Sequence, residues 1–224
     1  MKTSTILPGF AVVLTALAGC SAEIPTEGAT AAPDEPSVAQ QALAGPEGFY
    51  IQSITGSGSG CPSPPAYLLT PDQQTFTVYF SDMRLNHPPG STFKYVNCAV
   101  GVSLHVPHGW QLSVGTINTR GYAHLPFGTS AHQRSTYSLA GIPLGPTFRS
   151  ALNGFYDNNY TFTDLISVGS VITTPCGRDA ILTINTALDL NTAGNPVSDA
   201  FVNNETIDGT FRKVFQFGWD HCVG

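Results

Sequence analysis

Four histidines, His105, His108, His124 and His132, fall within one continuous stretch of the chain and are the first candidates for chemistry. Neutral imidazoles on neighbouring strands can converge on a zinc or copper ion, a site that takes three or four ligands. Their plainer role is as polar side chains on the outer face of a sheet. That is the expectation, with no metal and no cofactor. Carboxylates come next. Asp157-Asn-Asn-Tyr-Thr-Phe-Thr-Asp164 alternates oxygen-bearing residues in the manner of a calcium loop, but it lacks the glycine and the final glutamate of an EF-hand loop. A loop running into a strand accounts for the same residues. Asp179, Asp189 and Asp208 sit by turns, where aspartate bonds its own backbone. Glycoside hydrolysis needs two carboxylates facing each other across a cleft, and the spacing singles out no pair. There is no Gly-x-Ser-x-Gly turn. Asp220 and His221, as neighbours on a strand, project to opposite faces. No catalytic residue is assigned.

Aromatic rings are a further resource. Tyr122, Tyr137, Tyr156 and Tyr160 fall at or near strand ends, where a flat face can stack on a sugar. Trp110 and Trp219 belong to alternating rows and are expected in the core.

Strands must position all of these side chains. Val96, Cys98, Val100, Val102, Leu104 and Val106 are apolar, and Asn97, Ala99, Gly101, Ser103 and His105 between them are small or polar. A period of two puts one row on a core and the other on water; on a helix the six apolar residues would scatter around the circumference. The pattern recurs at Thr75–Phe80, at Trp110, Leu112 and Val114, along 182–190, and in the row Phe211, Lys213, Phe215, Phe217 and Trp219. Weaker runs are Phe49–Thr55, Tyr122–Leu125, Ala131–Leu139, Tyr160–Thr163 and Val168–Thr173. Short alternating runs broken by Gly, Pro and Asn, with no helical period, predict an all-β chain: a single antiparallel β-sandwich, jelly-roll or Ig-like, over 49–224. Its length suits one domain with its own core.

The N-terminus reads as an export signal over 1–19: one early lysine, then an apolar run from Ile6 to Ala18 too short for a permanent span. It ends in Leu17-Ala-Gly-Cys20, which resembles the lipobox of bacterial lipoproteins, where the cysteine is lipidated and becomes the first residue after cleavage. Ser21 in place of aspartate resembles lipoproteins sorted to an outer membrane. The alternative is plain secretion. Five cysteines is an odd number for an exported protein; lipidating Cys20 leaves Cys61, Cys98, Cys176 and Cys222, an even set fit for disulfides. Spacing does not choose among their three pairings. If the strands over 182–190 and 211–219 paired antiparallel, a 176–222 bridge would follow naturally and leave 61–98. No two cysteines are close enough for a CxxC zinc site. Residues 20–48, rich in proline and acid and free of aromatics, form a tether that cannot offset its ordering entropy. Nine basic residues against fifteen acidic ones, with no basic cluster, exclude a phosphate-backbone surface, so nucleic acid is not an expected partner.

Several short pieces look familiar in their order: Gly58-Ser-Gly-Cys-Pro62, Asn97-Cys98, Pro107-x-Gly109-Trp110, Arg120-Gly-Tyr-Ala123, Pro175-Cys-Gly177, Ile184-Asn185, Asp208-Gly209 and Trp219-x-x-Cys222. The series resembles the DUF4360 family of secreted fungal and bacterial proteins, over about Tyr50 to Cys222. The resemblance implies a small secreted or surface protein with no established activity and no catalytic residues to carry over. Within it, Arg120 followed by Gly121 and Tyr122 can present a planar cation beside an aromatic, suited to carboxylates or sugars. The plainer alternative is a β-bulge with its kink at the glycine. Arg120, Tyr122, Tyr156 and Tyr160 are thus the candidate ligand-binding residues. The chain is expected to be a monomeric, surface-anchored, non-catalytic binder of envelope or extracellular glycans, touching the membrane only through the lipid on Cys20. The alternatives are an envelope hydrolase or lyase, and a structural envelope protein.

Overall fold

The computed structural model describes residues 44–87, 90–139, 145–166, 172–203 and 211–222. The export segment with Cys20, the tether up to residue 43, and Asp208 lie outside them. In chain order the strands are β1 (Tyr50–Ser57), β2 (Ala66–Leu69), β3 (Thr75–Phe80), β4 (Arg84–Asn86) and β5 (Phe93–His105). They continue with β6 (Trp110–Leu125), β7 (Ser130–Leu139), β8 (Thr147–Asn153), β9 (Tyr156–Leu165) and β10 (Ile172–Thr173). The last are β11 (Ala180–Asn191), β12 (Phe201–Asn203) and β13 (Phe211–His221).

These strands form two antiparallel sheets. The first, sheet A, runs β1-β5-β11-β7-β8; the second, sheet B, runs β2-β3-β13-β6-β12-β4, with β9 and β10 also on β6. The alternation decides the layering. The even residues of β5 from Val96 to Leu104 are buried, as are Leu182, Ile184, Leu188 and Leu190 of β11 beside it. They face Phe76 and Val78 of β3, Leu112 and Ile117 of β6, and Phe215, Phe217 and Trp219 of β13. Phe76 lies 5.7 Å from Phe215 and 5.8 Å from Phe217, ring centre to ring centre. Each such buried ring stabilises the fold by roughly 1.5–3 kcal/mol relative to exposure, and these rings of sheet B pack with the aliphatic row of sheet A in one core. Phe49, expected inside the first strand, precedes it and packs on Trp219 at 4.6 Å. The fold engages the chain already at Gly45, whose N–H donates to Asp72 O at 2.8 Å.

One strand differs instructively from its reading. Residues 110–125 are a single strand, β6, rather than two runs. Phe215 pairs with Ile117 but Phe217 pairs with Val114, so Gly115 and Thr116 together face Gln216 in a β-bulge. The extra residue shifts the phase of β6: Leu112 and Val114 point inward before it, Ile117, Thr119, Ala123 and Leu125 after it. A strand whose inward residues change from even to odd does not look continuous in sequence. The bulge is not at Gly121, where β6 and β9 keep regular register.

Disulfides join Cys61 to Cys98 and Cys176 to Cys222, with Cα atoms 5.4 and 5.9 Å apart. The geometry behind the second differs from the expectation. β11 pairs with β5 and β7 in sheet A, while β13 lies in sheet B, so the two never meet as neighbours. Both cysteines instead arrive at the start of β6: Gly177 N–H donates to Trp110 O at 2.8 Å and Cys222 N–H to Gly109 O at 3.0 Å.

Candidate functional site

The phase shift in β6 turns Arg120, Tyr122 and His124 to the outer face of sheet B. Arg120 is exposed; Tyr122 and His124 are half-buried. The Tyr122 hydroxyl donates to Asp157, directly across on β9 with His124, and His124 Nδ1 lies 3.3 Å from the same carboxylate. The tyrosine's hydrogen bond, aided by the histidine, holds Asp157 below the usual carboxylate range, and the same bond raises the Tyr122 hydroxyl. His124 Nε2 faces Asp199 at 3.7 Å, and Phe201 stacks on the imidazole at 5.7 Å. The ring lies between two carboxylates with both nitrogens engaged, so the acids do not converge on a common point. Tyr156 donates its hydroxyl to Asn159 O at 2.8 Å and lines a hollow of about 300 Å³ with His124, Asp157, Phe127 and Phe155.

Tyr160 is corrected as a ligand contact. It sits across from Gly121 on β9, facing inward, and is 5% exposed. Gly121 supplies no kink, since β6 and β9 keep regular register there. Asp157 and Asp164 belong to one strand, not a loop, and being seven apart they point to opposite faces. Tyr137 is interior rather than at a sugar-stacking edge.

Sheet A carries the larger concavity. On its outer face, residues pair across four strands in rows. Tyr95 of β5 faces Asp189 of β11, which faces His132 of β7, then Ala151 of β8. The next row is Asn97, Ala187, Arg134 and Arg149, and the one after is Ala99, Asn185, Thr136 and Thr147. Ala187, inside the second row, leaves a trough between the larger side chains around it. Two adjoining hollows of about 390 and 470 Å³ share Tyr95, Arg134, Arg149 and Ala187. Tyr95 is 51% exposed and Phe93, at the mouth, 56%. His132 Nδ1 meets Asp189 at 2.9 Å, so that carboxylate is engaged.

These rows also answer the questions about histidine and acid chemistry. His105 meets Asp179 at 2.8 Å, His132 meets Asp189, and His124 meets Asp157. The first two pairs lie on sheet A and the third on sheet B. Among the described residues, no three of His, Cys, Asp and Glu gather to hold a metal. Asp179 is held below the usual range by the Gln52 amide first and His105 second.

Sequence reasoning missed two sets of residues. The groove residues Tyr95, Arg134 and Arg149 lie on three different strands, and β8 carried no alternation strong enough to place Arg149. The second set is interior. Lys213 is fully buried and its Nζ donates to Thr119 Oγ1 at 2.6 Å, Ser135 Oγ at 2.9 Å and Tyr137 Oη at 2.9 Å. Tyr137 in turn donates to buried Asp164 at 2.6 Å. Burial drives the ammonium down to about 7, against the opposing pull of Asp164. Burial, with the Asp164 charge, raises the Tyr137 hydroxyl well above its ordinary range. A signal was present: a lysine standing in an otherwise aromatic inward row.

A family model described as "Domain of unknown function (DUF4360)" matches residues 47–222. An uncharacterized secreted protein of the fungus Arthroderma benhamiae is 29% identical over 181 residues, covering 80% of this chain and 74% of its own. A solved structure of the carbohydrate-binding module TmCBM61 with β-1,4-galactotriose is similar at 8% identity and a TM-score of 0.26, over 76% of this chain and 90% of that one.

Proposed function

The chain belongs to the DUF4360 family, and from that premise we propose that it is an exported, non-catalytic module that binds glycan along the outer face of sheet A. The observation that carries this reading is the groove itself: a shallow trough crossing four strands, with an exposed tyrosine, amide side chains and arginines along it. Polar side chains suited to hydroxyls, beside a ring whose one end is apolar and whose other end is wet, are what a sugar requires. The sandwich supplies rigidity, so little ordering cost attends binding. Among the described residues lining the groove Asp189 is the one carboxylate, and it is tied to His132, which disfavours the hydrolase reading. Export agrees with the secreted fungal relative. Lipidation at Cys20, with 20–48 as the spacer, would hold the module at a membrane surface, two or more acyl chains being needed for stable anchoring.

The test is to incubate the full-length chain with insoluble polysaccharides and cell-wall fractions, measuring retained protein and released sugar with and without chelator. Retention without release, reduced by Tyr95→Ala, is the expected result. Chelator-sensitive release would replace the reading with an enzyme. For the anchor, Cys20→Ala abolishes labelling by a fatty-acid analogue; labelling that persists removes the lipoprotein assignment.

A further inference from the structure

The glycan-binding reading leaves the ligand's charge open, and the groove speaks to it. Arg134 of β7 and Arg149 of β8 are paired directly across the two strands, both exposed on the outer face. Like charges directly opposite on neighbouring strands are destabilising. Such a pair is usually neutralised by a carboxylate nearby, yet among the described residues neither guanidinium has an ion-pair partner within 4 Å. The nearest acid in the trough, Asp189, is taken by His132 at 2.9 Å. The arrangement is not a by-product of a basic protein, since the chain carries a net charge of −6. Two of its few cations oppose each other in this groove with no counter-charge within 4 Å among the described residues.

We propose, building on the glycan-binding reading, that the Arg134–Arg149 pair is a subsite for carboxylate groups and that the ligand is an acidic polysaccharide built of uronic acids. Guanidinium forks match the planar carboxylate in a two-point contact that a lysine would not give. The flanking residues decide between a sugar acid and a bare anion. Asn97 sits in the same row as the arginines and Asn185 in the next, offering neutral donors and acceptors for hydroxyls. Tyr95 presents an open ring one row away. A phosphate needs cations alone; a uronate needs cation, hydroxyl partners and a ring face together, and the groove sets all three side by side. A polymer that repeats its carboxylate adds further contacts at little extra cost, because each later contact is intramolecular.

The experiment compares the full-length chain on polygalacturonate, on the same polymer with its carboxyl groups reduced to alcohols, on neutral galactan and on inorganic polyphosphate. Arg134→Gln and Arg149→Gln are tested alongside, their folding checked by thermal melting. Binding to polygalacturonate is expected to exceed binding to its reduced form by about tenfold and to fall by a similar factor in each variant. It should also weaken as salt is raised. Equal binding of the acidic and reduced polymers, unchanged in the variants, overturns the carboxylate subsite and leaves glycan binding standing. Polyphosphate held as tightly as polygalacturonate, through the same arginines, overturns it in favour of simple anion capture. Failure to retain any of the polysaccharides removes the glycan reading and the subsite with it.

Discussion

Strand β7 has two faces, and each meets a positive charge in a different way. Its odd residues Gln133, Ser135 and Tyr137 point inward, where Ser135 and Tyr137 accept hydrogen bonds from the Lys213 ammonium on β13. Its even residues His132, Arg134 and Thr136 point outward, where Arg134 opposes Arg149 with no carboxylate within 4 Å among the described residues. Inside, every donor direction of the cation has an acceptor, because a buried charge without partners costs several kcal/mol. Outside, water screens the pair and repulsion costs only tenths. The contrast separates a cation that structure has used up from one that is left available. Lys213 cannot serve a ligand without breaking the core. The arginines can, at almost no loss to the fold.

The largest expected effect breaks the inner face. Lys213→Met leaves the buried Thr119, Ser135 and Tyr137 oxygens without their donor and removes the cation linked to Asp164 through Tyr137, and should destabilise by about 3–5 kcal/mol, read from urea unfolding. Adding Asp164→Leu removes the carboxylate at the other end of the Tyr137 bridge and should recover part of that loss, since buried charged groups exchanged together for apolar volume are often neutral. A double variant no better than the single would mean that shape, not charge, makes Lys213 necessary.

The next effect depends on pH. An unfolded lysine keeps its proton to about pH 10, whereas burial brings Lys213 down to about 7. Between those values the unfolded chain binds more protons than the native one. Stability should therefore rise with pH across that window, by at most about 1.4 kcal/mol per pH unit. Below about 7 both states carry the proton and this contribution is flat. Melting temperatures from pH 6 to 9 should climb in the wild type and lose that slope in Lys213→Met. Arg149→Gln, on the other face, should keep it; a slope that survives in Lys213→Met would assign the titration elsewhere.

Neighbouring residues on β7 sharpen the comparison at smaller scale. Ser135→Ala removes an acceptor from a buried ammonium and should cost about 1–3 kcal/mol. Thr136→Ala, one residue on and facing water, should stay within about 0.5 kcal/mol by the same unfolding measurement. Equal losses at both sites would erase the distinction between the faces.

This two-sided polarity also explains what could be read from the chain beforehand. β5 declared itself because its even row is apolar from Val96 to Leu104, and with β3, β11 and β13 it was enough for an all-β sandwich. β7 reads Ala-His-Gln-Arg-Ser-Thr-Tyr over 131–137, polar on both sides, so alternation marked it weakly although it builds the groove and the buried network alike. The pieces that carried the family resemblance fasten the scaffold. Gly58 packs so closely that a Cβ there would lie 2.4 Å from Asn97 O, and Gly109, Gly177 and Cys222 gather at one disulfide. Arg120 and Tyr122 lie on the outer face of sheet B, but the partners of Tyr122, Asp157 and Phe201, come from strands far away in sequence. The groove was illegible for the same reason. Its rows take one residue from each of four strands, and only register, which no local pattern specifies, brings Tyr95, Arg134 and Arg149 together.

The smallest effect on stability is the most telling for function. Arg149→Gln removes one member of a like-charge pair while keeping most of the side chain's length and its amide hydrogen-bonding capacity. Repulsion between paired strand residues is worth a few tenths of a kcal/mol, so the variant should be as stable as the wild type or slightly more so. An ordinary structural arginine behaves in the opposite way, since its removal forfeits packing of the stem and a local ion pair. Side-by-side melts at low and high salt check this: the wild type should gain on Arg149→Gln as salt rises, because screening relieves a repulsion that the variant no longer has. A clear loss of stability in Arg149→Gln at both salts would show the guanidinium engaged in holding the sheet, and would place it with Lys213 among the cations the fold has already used.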